Sequence, residues 1–259
     1  MTSRLWPRIR RIWITAGLLF TALFVGWSLL AFRATAAAHA ALASDSLVVV
    51  EETALGWSFR PDPRALGAAP ANLLLLPGGM VDPVAYAPLA REVAAAGHTV
   101  QLLRLPWRGA FGQADGLDFV ETVRRAMDRL PGPWVLAGHS RGGAIASGIA
   151  HAGAPRLAGL VLLGTTHPRD VSLVHLQYYV AKIYGTADGI APVAKVRANA
   201  PLLPAGTHWV ELAGANHSQF GAYGFQPGDH RAAMDRATQR ARIVAVLLEA
   251  LASAGGAGQ

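Results

Sequence analysis

One short stretch constrains this chain more than any other: Pro133-Trp134-Val135-Leu136-Ala137-Gly138-His139-Ser140-Arg141-Gly142-Gly143. The apolar run from Trp134 to Ala137 predicts a buried strand. The small residues that follow (Ala144, Ala146, Ser147, Gly148, Ala150) predict a closely packed helix. Between them lies Gly-x-Ser-x-Gly, formed by Gly138, Ser140 and Gly142. A serine hydroxyl becomes a nucleophile when it projects, beside a base, from a sharp strand-to-helix turn. Such a turn has no room for a side chain two residues to either side, which accounts for both glycines. In a chain with 28 glycines the spacing alone is a weak signal. The strand–turn–helix setting makes it a nucleophile elbow rather than an ordinary glycine-rich β–α turn.

A second constraint lies at the N-terminus, where Ile12 to Phe32 is uninterrupted by charge. As a helix rising ~1.5 Å per residue it would cross a ~30 Å hydrocarbon layer. Arg4, Arg8, Arg10 and Arg11 precede it, which places residues 1–11 in the cytoplasm as a basic tail and the body outside. The apolar run exceeds the ~7–15 residues of a signal-peptide core. The expectation is therefore a signal anchor over 12–32. A cleaved signal is the alternative, because Ala34-Thr35-Ala36 and Ala41-Leu42-Ala43 offer small-x-small sites. The alanine-rich residues 33–44 read as a linker to a single domain over 45–259. The net charge of +7 does not indicate a nucleic-acid partner. With Arg4, Arg8, Arg10, Arg11 and Arg33 set aside, the body has 18 basic and 16 acidic residues and no basic stripe with interleaved aromatics. The absence of cysteine excludes disulfides, thiolate metal sites and a thiol nucleophile.

Two strands, 46–52 and 57–60, open the domain. From residue 72 strands at 72–76, 98–105, 134–137, 158–163, 176–184 and 208–213 then alternate with helices over 82–96, 115–130, 191–200 and 231–252. Strict alternation implies an α/β fold, a doubly wound and mostly parallel sheet with right-handed crossovers.

In such sheets the active groups sit on loops at the carboxyl ends of the strands. A serine elbow also needs an acid, a base and oxyanion donors. Asp188, in Gly185-Thr186-Ala187-Asp188-Gly189, follows a strand beyond the elbow and is the expected acid, with Asp170 the runner-up. His217 lies four residues past the last strand in a glycine-bounded loop and is the expected base. His230 abuts the closing helix, and His139 reads as packed beneath the turn. The order Ser, Asp, His along the chain matches this architecture. One oxyanion donor is the N–H of Arg141; the other is Gly79 or Met80, in the Pro77-Gly78-Gly79-Met80 loop. Trp107, Arg108 and Phe111 are candidate wall residues for substrate, while His167 and Arg169 read as solvated. No His, Asp or Glu cluster has metal-ligand spacing, so neither metal nor cofactor is expected.

On Pro77-Gly78-Gly79, Gly138-His139-Ser140-Arg141-Gly142-Gly143, Gly185-Thr186-Ala187-Asp188-Gly189 and Asn216-His217-Ser218-Gln219-Phe220-Gly221, the chain resembles the α/β-hydrolase superfamily over residues ~45–250. More narrowly it is similar to the small dienelactone-hydrolase-like members that carry an N-terminal membrane segment. The resemblance implies a serine hydrolase acting on a small-molecule acyl substrate, an ester or lactone, through an acyl-serine. A tethered binding protein without turnover and an acyltransferase are the rival functions. Dienelactone hydrolases proper use cysteine where this chain has Ser140. Arg141 stands where a leucine is common, and its cation beside the nucleophile favours an anionic substrate. Only residues 164–173 intervene where a cap would insert, so an open, capless site is expected.

Overall fold

The computed structural model describes residues 5–64, 71–110 and 116–256, the side chain of Leu117 excepted. The long N-terminal helix α1 (Leu5–Ala31) leads through a short helix α2 (Ala36–Ala40) into the antiparallel strands β1 (Val48–Thr53) and β2 (Gly56–Pro61). Then follow β3 (Asn72–Leu76), α3 (Ala87–Ala95), β4 (Val100–Leu103), α4 (Leu117–Asp128), β5 (Trp134–His139), α5 (Arg141–Ala152) and β6 (Leu157–Leu163). The remaining elements are β7 (Tyr179–Gly185), α6 (Val193–Arg197), β8 (His208–Leu212) and α7 (Arg236–Gly256). The eight strands form one sheet in the order β1-β2-β4-β3-β5-β6-β7-β8. β1 and β2 run antiparallel at one edge, and every pairing from β4 to β8 is parallel. This is the α/β-hydrolase fold.

The leucines of β3 show why its sequence does not alternate. Leu73 and Leu75 pack with α3 and α7 on one face, while Leu74 and Leu76 pack with α4 and α5 on the other. A strand covered on both sides must be apolar at every position. β5 behaves alike: Val135 and Ala137 join the first face, and Trp134 and Leu136 the second. The buried indole N–H of Trp134 is satisfied by the Met127 carbonyl at 2.9 Å.

Several elements depart from expectation for local reasons. The expected strand at 176–184 begins only at Tyr179, because the Leu173 and Leu176 backbone amides bond outside the sheet, to Leu202 and Leu173. The expected helix at 191–200 is a short one from Val193, entered through Pro192, followed by a 3-10 turn that carries Pro201. The closing helix starts at Arg236, not 231, because the Ala233 and Met234 amides turn onto the Gly214 carbonyl. The Asp235 side chain then accepts from the Thr238 amide. Residues 164–178 form a loop without a helix, so no helical cap lies between β6 and β7. Phe111 and the expected helix start at Asp115 lie outside the described residues.

Residues 33–44 are not a loose linker, as expected, but part of the folded body. Ala34 forms an antiparallel bridge with Tyr223, and the Thr35 amide donates to Ala222 O at 2.9 Å. The Thr35 side chain caps α2, whose Ala38 is fully buried. Arg91 reaches the carbonyls of Ala41 and Ala43. Alanine composition is equally compatible with a solvated spacer and with close packing; the neighbouring elements decide which.

The elbow depends on backbone contact. A Cβ on Gly142 would lie 2.4 Å from Leu76 O and 2.5 Å from Pro77 O, and one on Gly138 would lie 2.3 Å from Gly142 O. Gly148 of α5, by contrast, has nothing within 4 Å of its would-be Cβ. Gly142→Ala should therefore destabilise the domain by about 3 kcal/mol, since backbone cannot yield as a side chain can. That corresponds to a melting temperature lower by about 6–12 °C. Gly148→Ala should leave it unchanged or slightly raised, and thermal unfolding of the two variants checks the contrast.

Candidate active site

Ser140 occupies the turn between β5 and α5 with φ 51° and ψ −112°. A non-glycine residue there costs on the order of 1–3 kcal/mol, which the surrounding packing must hold. Its amide is fixed to Leu163 O at 2.9 Å, and its carbonyl accepts from the Gly143 and Ala144 amides as α5 begins. The turn thus presents the hydroxyl at the positive end of a helix.

Asp188 follows β7, and His217 follows β8. Their side chains meet at 2.8 Å between Asp188 Oδ2 and His217 Nδ1, and both residues are buried. The other carboxylate oxygen of Asp188 accepts from the Ile190 amide at 2.9 Å and the Ala191 amide at 2.6 Å, which fixes its plane. With Nδ1–H directed at Asp188, Nε2 of His217 carries the lone pair. That atom is buried and has no hydrogen-bond partner among the described residues. Ser140 and His217 line the same cavity of about 210 Å³.

His139 is not available as a base. Tyr86 accepts from the Gly78 amide at 2.9 Å, so its single O–H donates to His139 Nδ1 at 2.6 Å. Burial, reinforced by the neighbouring His217, holds His139 well below the usual histidine range, and it stays neutral. Its ring stacks on Phe220 at 5.1 Å and lies 4.5 Å from that of His217, forming the floor of the site. Asp170 and His230 are exposed, and it is Asp188 that bonds His217 Nδ1.

The Pro77–Met80 loop separates its two donor candidates. Met80 sits in the left-handed region (φ 63°) and its N–H is taken by Arg108 O at 2.6 Å. Among the described residues no acceptor takes the Gly79 N–H, and the would-be Cβ of Gly79 lies 3.1 Å from Arg141 Cβ. Trp107 and Arg108, expected as cavity walls, do not line the cavity of Ser140 and His217. Trp107 is 70 % exposed. Both belong to a turn with φ 48° and 53° that braces the Gly79–Met80 loop from outside.

The residues expected to be merely solvated come closer. His167 and Arg169 line the cavity with Ser140 and also an adjoining one of about 270 Å³, and Arg141 borders both. Burial, followed by the charge of Arg169, pushes His167 down to about 4 despite Asp170 nearby. Lys182 of β7 donates to the His167 carbonyl, and burial pushes it down to about 7. The cations that border the cavity beside Ser140 are thus Arg141 and Arg169. Among the described residues no group of three His, Asp or Glu side chains could hold a metal ion.

One buried residue was not foreseen. Asp229 accepts from the amides of Gly189 (3.1 Å), His217 (3.2 Å), Ser218 (2.8 Å) and His230 (2.9 Å), and from the Ser218 hydroxyl (2.6 Å). It clamps the loop of Asp188 to the loop of His217. The Gly228-Asp229-His230 turn was the available signal, yet nothing local tells such an aspartate from a helix-capping one.

Residues 72–241 match the model of the alpha/beta hydrolase family. The chain belongs to that family. Solved structures share its fold at low identity. A CIB-like hydrolase from Thermoplasma acidophilum aligns with TM-score 0.57 and 10 % identity over 77 % of this chain and 98 % of its own. An alpha-beta serine hydrolase homologue from Coxiella burnetii aligns with 0.51 and 15 % over 79 % and 99 %. A monoacylglycerol lipase from Paleococcus ferrophilus aligns with 0.53 and 15 % over 71 % and 96 %. No curated protein matches this family member.

If Asp229 sets the register of the two loops, Asp229→Asn should misplace the His217–Asp188 pair. A misplacement of ~1 Å costs on the order of 10²-fold in rate. The expected result is a kcat on a p-nitrophenyl ester lowered by roughly 10–100-fold with little change in KM. With active sites titrated by a fluorophosphonate, a purely structural role would instead lower the titrated fraction and leave kcat per titrated site unchanged.

Proposed function

We propose that this protein is a serine hydrolase that cleaves a carboxylic ester or related acyl bond through an acyl-serine. Ser140 Oγ attacks the carbonyl while His217 Nε2 takes its proton. Asp188 keeps the imidazole in the competent tautomer and stabilises the imidazolium that forms. The Gly79 N–H, left open when Met80 bonds to Arg108, and the Arg141 N–H at the start of α5 stabilise the oxyanion. His217 then protonates the leaving group, activates water on the acyl-enzyme and regenerates Ser140. The observation that supports this reading most is the buried, unpartnered Nε2 of an Asp-oriented histidine, sharing a cavity with a strained serine.

The test is covalent. A fluorophosphonate probe should label the wild-type chain and fail on Ser140→Ala and His217→Ala, and each variant should lose on the order of 10⁴-fold or more in kcat/KM. An unlabelled wild type, folded by circular dichroism, would leave the tethered binding protein as the reading. Transfer to an added alcohol in preference to water would favour the acyltransferase.

The substrate class follows from charge. Arg141 and Arg169 both border the cavity, which puts two guanidinium groups at its rim. An acyl group or alcohol carrying a carboxylate fits this rim. Arg169→Gln should raise KM about 10-fold for an anionic ester such as p-nitrophenyl hemisuccinate, the order of one charge-assisted hydrogen bond. For neutral p-nitrophenyl butyrate it should leave KM unchanged.

The location follows from α1, which is long and apolar enough to cross a membrane and of which only a small share is buried against the body. As an uncleaved anchor with its arginines in the cytoplasm, it holds the hydrolase body on the opposite face.

A further inference from the structure

Resting on the reading of α1 as an anchor, we propose that the catalytic rim is itself a membrane-contact surface, with Met80, Trp107 and Phe225 seated in the interface of the bilayer that holds α1. Outside α1, the described residues include few exposed large apolar side chains: Leu47, Met80, Trp107, Val174 and Phe225. Three of them follow the carboxyl ends of parallel strands, Met80 after β3, Trp107 after β4 and Phe225 after β8. Trp107 and Phe225 are 70 % and 51 % exposed.

What covers them is fixed by where α1 ends. Phe225 follows Gly224, whose would-be Cβ lies 2.6 Å from Ala31 O, in the last turn of α1. Phe32 packs its ring 6.1 Å from that of Tyr223, and its carbonyl accepts from the Asp82 amide at 2.9 Å. Asp82 lies two residues past Met80, and its carboxylate is 3.8 Å from the Arg108 guanidinium, beside Trp107. Ser28 and Phe32 are nearly inaccessible. No flexible spacer separates helix from body. The charge-free stretch Ile12–Phe32, at ~1.5 Å per residue, is matched to a ~30 Å hydrocarbon layer, so its last turn lies at the membrane boundary. Side chains packed around that turn share its depth. Tryptophan favours that zone, and the exposed Arg33 suits the headgroups. A protein free to tumble away from the bilayer would gain nothing from apolar side chains here; one held by this edge would bury them.

The other two exposed apolar residues serve as controls, because they lie at the opposite end of the sheet. Leu47 precedes Val48, which pairs with Pro61 at the far end of β2. Val174 neighbours Pro204–Gly206, ahead of β8.

The chain contains no cysteine, so single labels are unambiguous. Trp107→Cys, Phe225→Cys, Val174→Cys and Leu47→Cys, each in the full-length chain, would be spin-labelled in nanodiscs of phosphatidylethanolamine and phosphatidylglycerol. Relaxation by oxygen and by a water-soluble nickel chelate is then compared. Labels at 107 and 225 should favour oxygen several-fold over the chelate, relative to those at 174 and 47. Equal chelate access at all four positions, with intact mass showing α1 present, would overturn the proposal and leave the anchor and hydrolase readings standing. A chain recovered without α1 would overturn the anchor and this proposal together. Loss of fluorophosphonate labelling, by contrast, would remove only the hydrolase reading.

Discussion

The edge of the sheet that carries Ser140 depends on a contact made entirely of backbone. Gly142 lies against the carbonyls of Leu76 and Pro77 at the end of β3, and Gly138 lies against Gly142. This closeness lets β5 turn into α5 within one residue, and that residue, Ser140, absorbs the strain. The same contact sets the neighbouring loop. Once α5 is pressed onto the end of β3, Gly79 comes against Arg141, which brings the loop after β3 beside the start of α5. A strained turn of this kind persists only where packing over-determines it. Here the packing is the two-sided core around β3 and β5.

Around this rigid centre the polar groups are positioned by buried hydrogen bonds. Asp188 and His217 sit on separate loops, and their 2.8 Å contact alone would not fix both. Asp229 receives amides from each loop, and Tyr86 links the Gly78 amide to His139, the residue before Ser140. In a low-dielectric interior such fully donated carboxylates and hydroxyls are strong restraints, because breaking one leaves a desolvated group unpaired. Tyr86 also fixes His139 as a neutral packing ring. The two rings lie 4.5 Å apart and differ in what holds Nδ1, a neutral phenol for His139 and a carboxylate for His217.

The N-terminal segment joins this edge rather than trailing from the domain. Ala34 pairs with Tyr223, and Phe32 packs against the same ring, so the chain leaving α1 is stitched to the loop that carries His217. Small residues make the approach possible: Gly224 against Ala31, and Ala38 buried under α2. The end of α1 and the loop that carries His217 thereby form one rim.

Much of this was legible in the sequence. The leucine run of β3, the elbow at Gly138–Gly142 and the alternation of strands and helices carry local signatures, since periodicity and steric demand act on neighbours in the chain. The loops after β7 and β8 were findable because the fold puts active groups at the carboxyl ends of strands, which narrowed attention to Asp188 and His217. The sequence did not decide between Gly79 and Met80, because that choice turns on Arg108 O taking one N–H. It read His167 and Arg169 as solvated and Trp107 and Arg108 as wall; Arg169 is exposed, yet it and His167 line the cavity and the other two do not, because lining depends on how loops fold over one another. It read residues 33–44 as a spacer, because alanine is silent about its partners. Asp229 escaped notice for the same reason, being defined by donors that are remote neighbours or lie on another loop. Local sterics and hydrophobic period thus determined the elements and the strained turn that carries Ser140. Only long-range packing decided which polar atoms are left open toward the cavity.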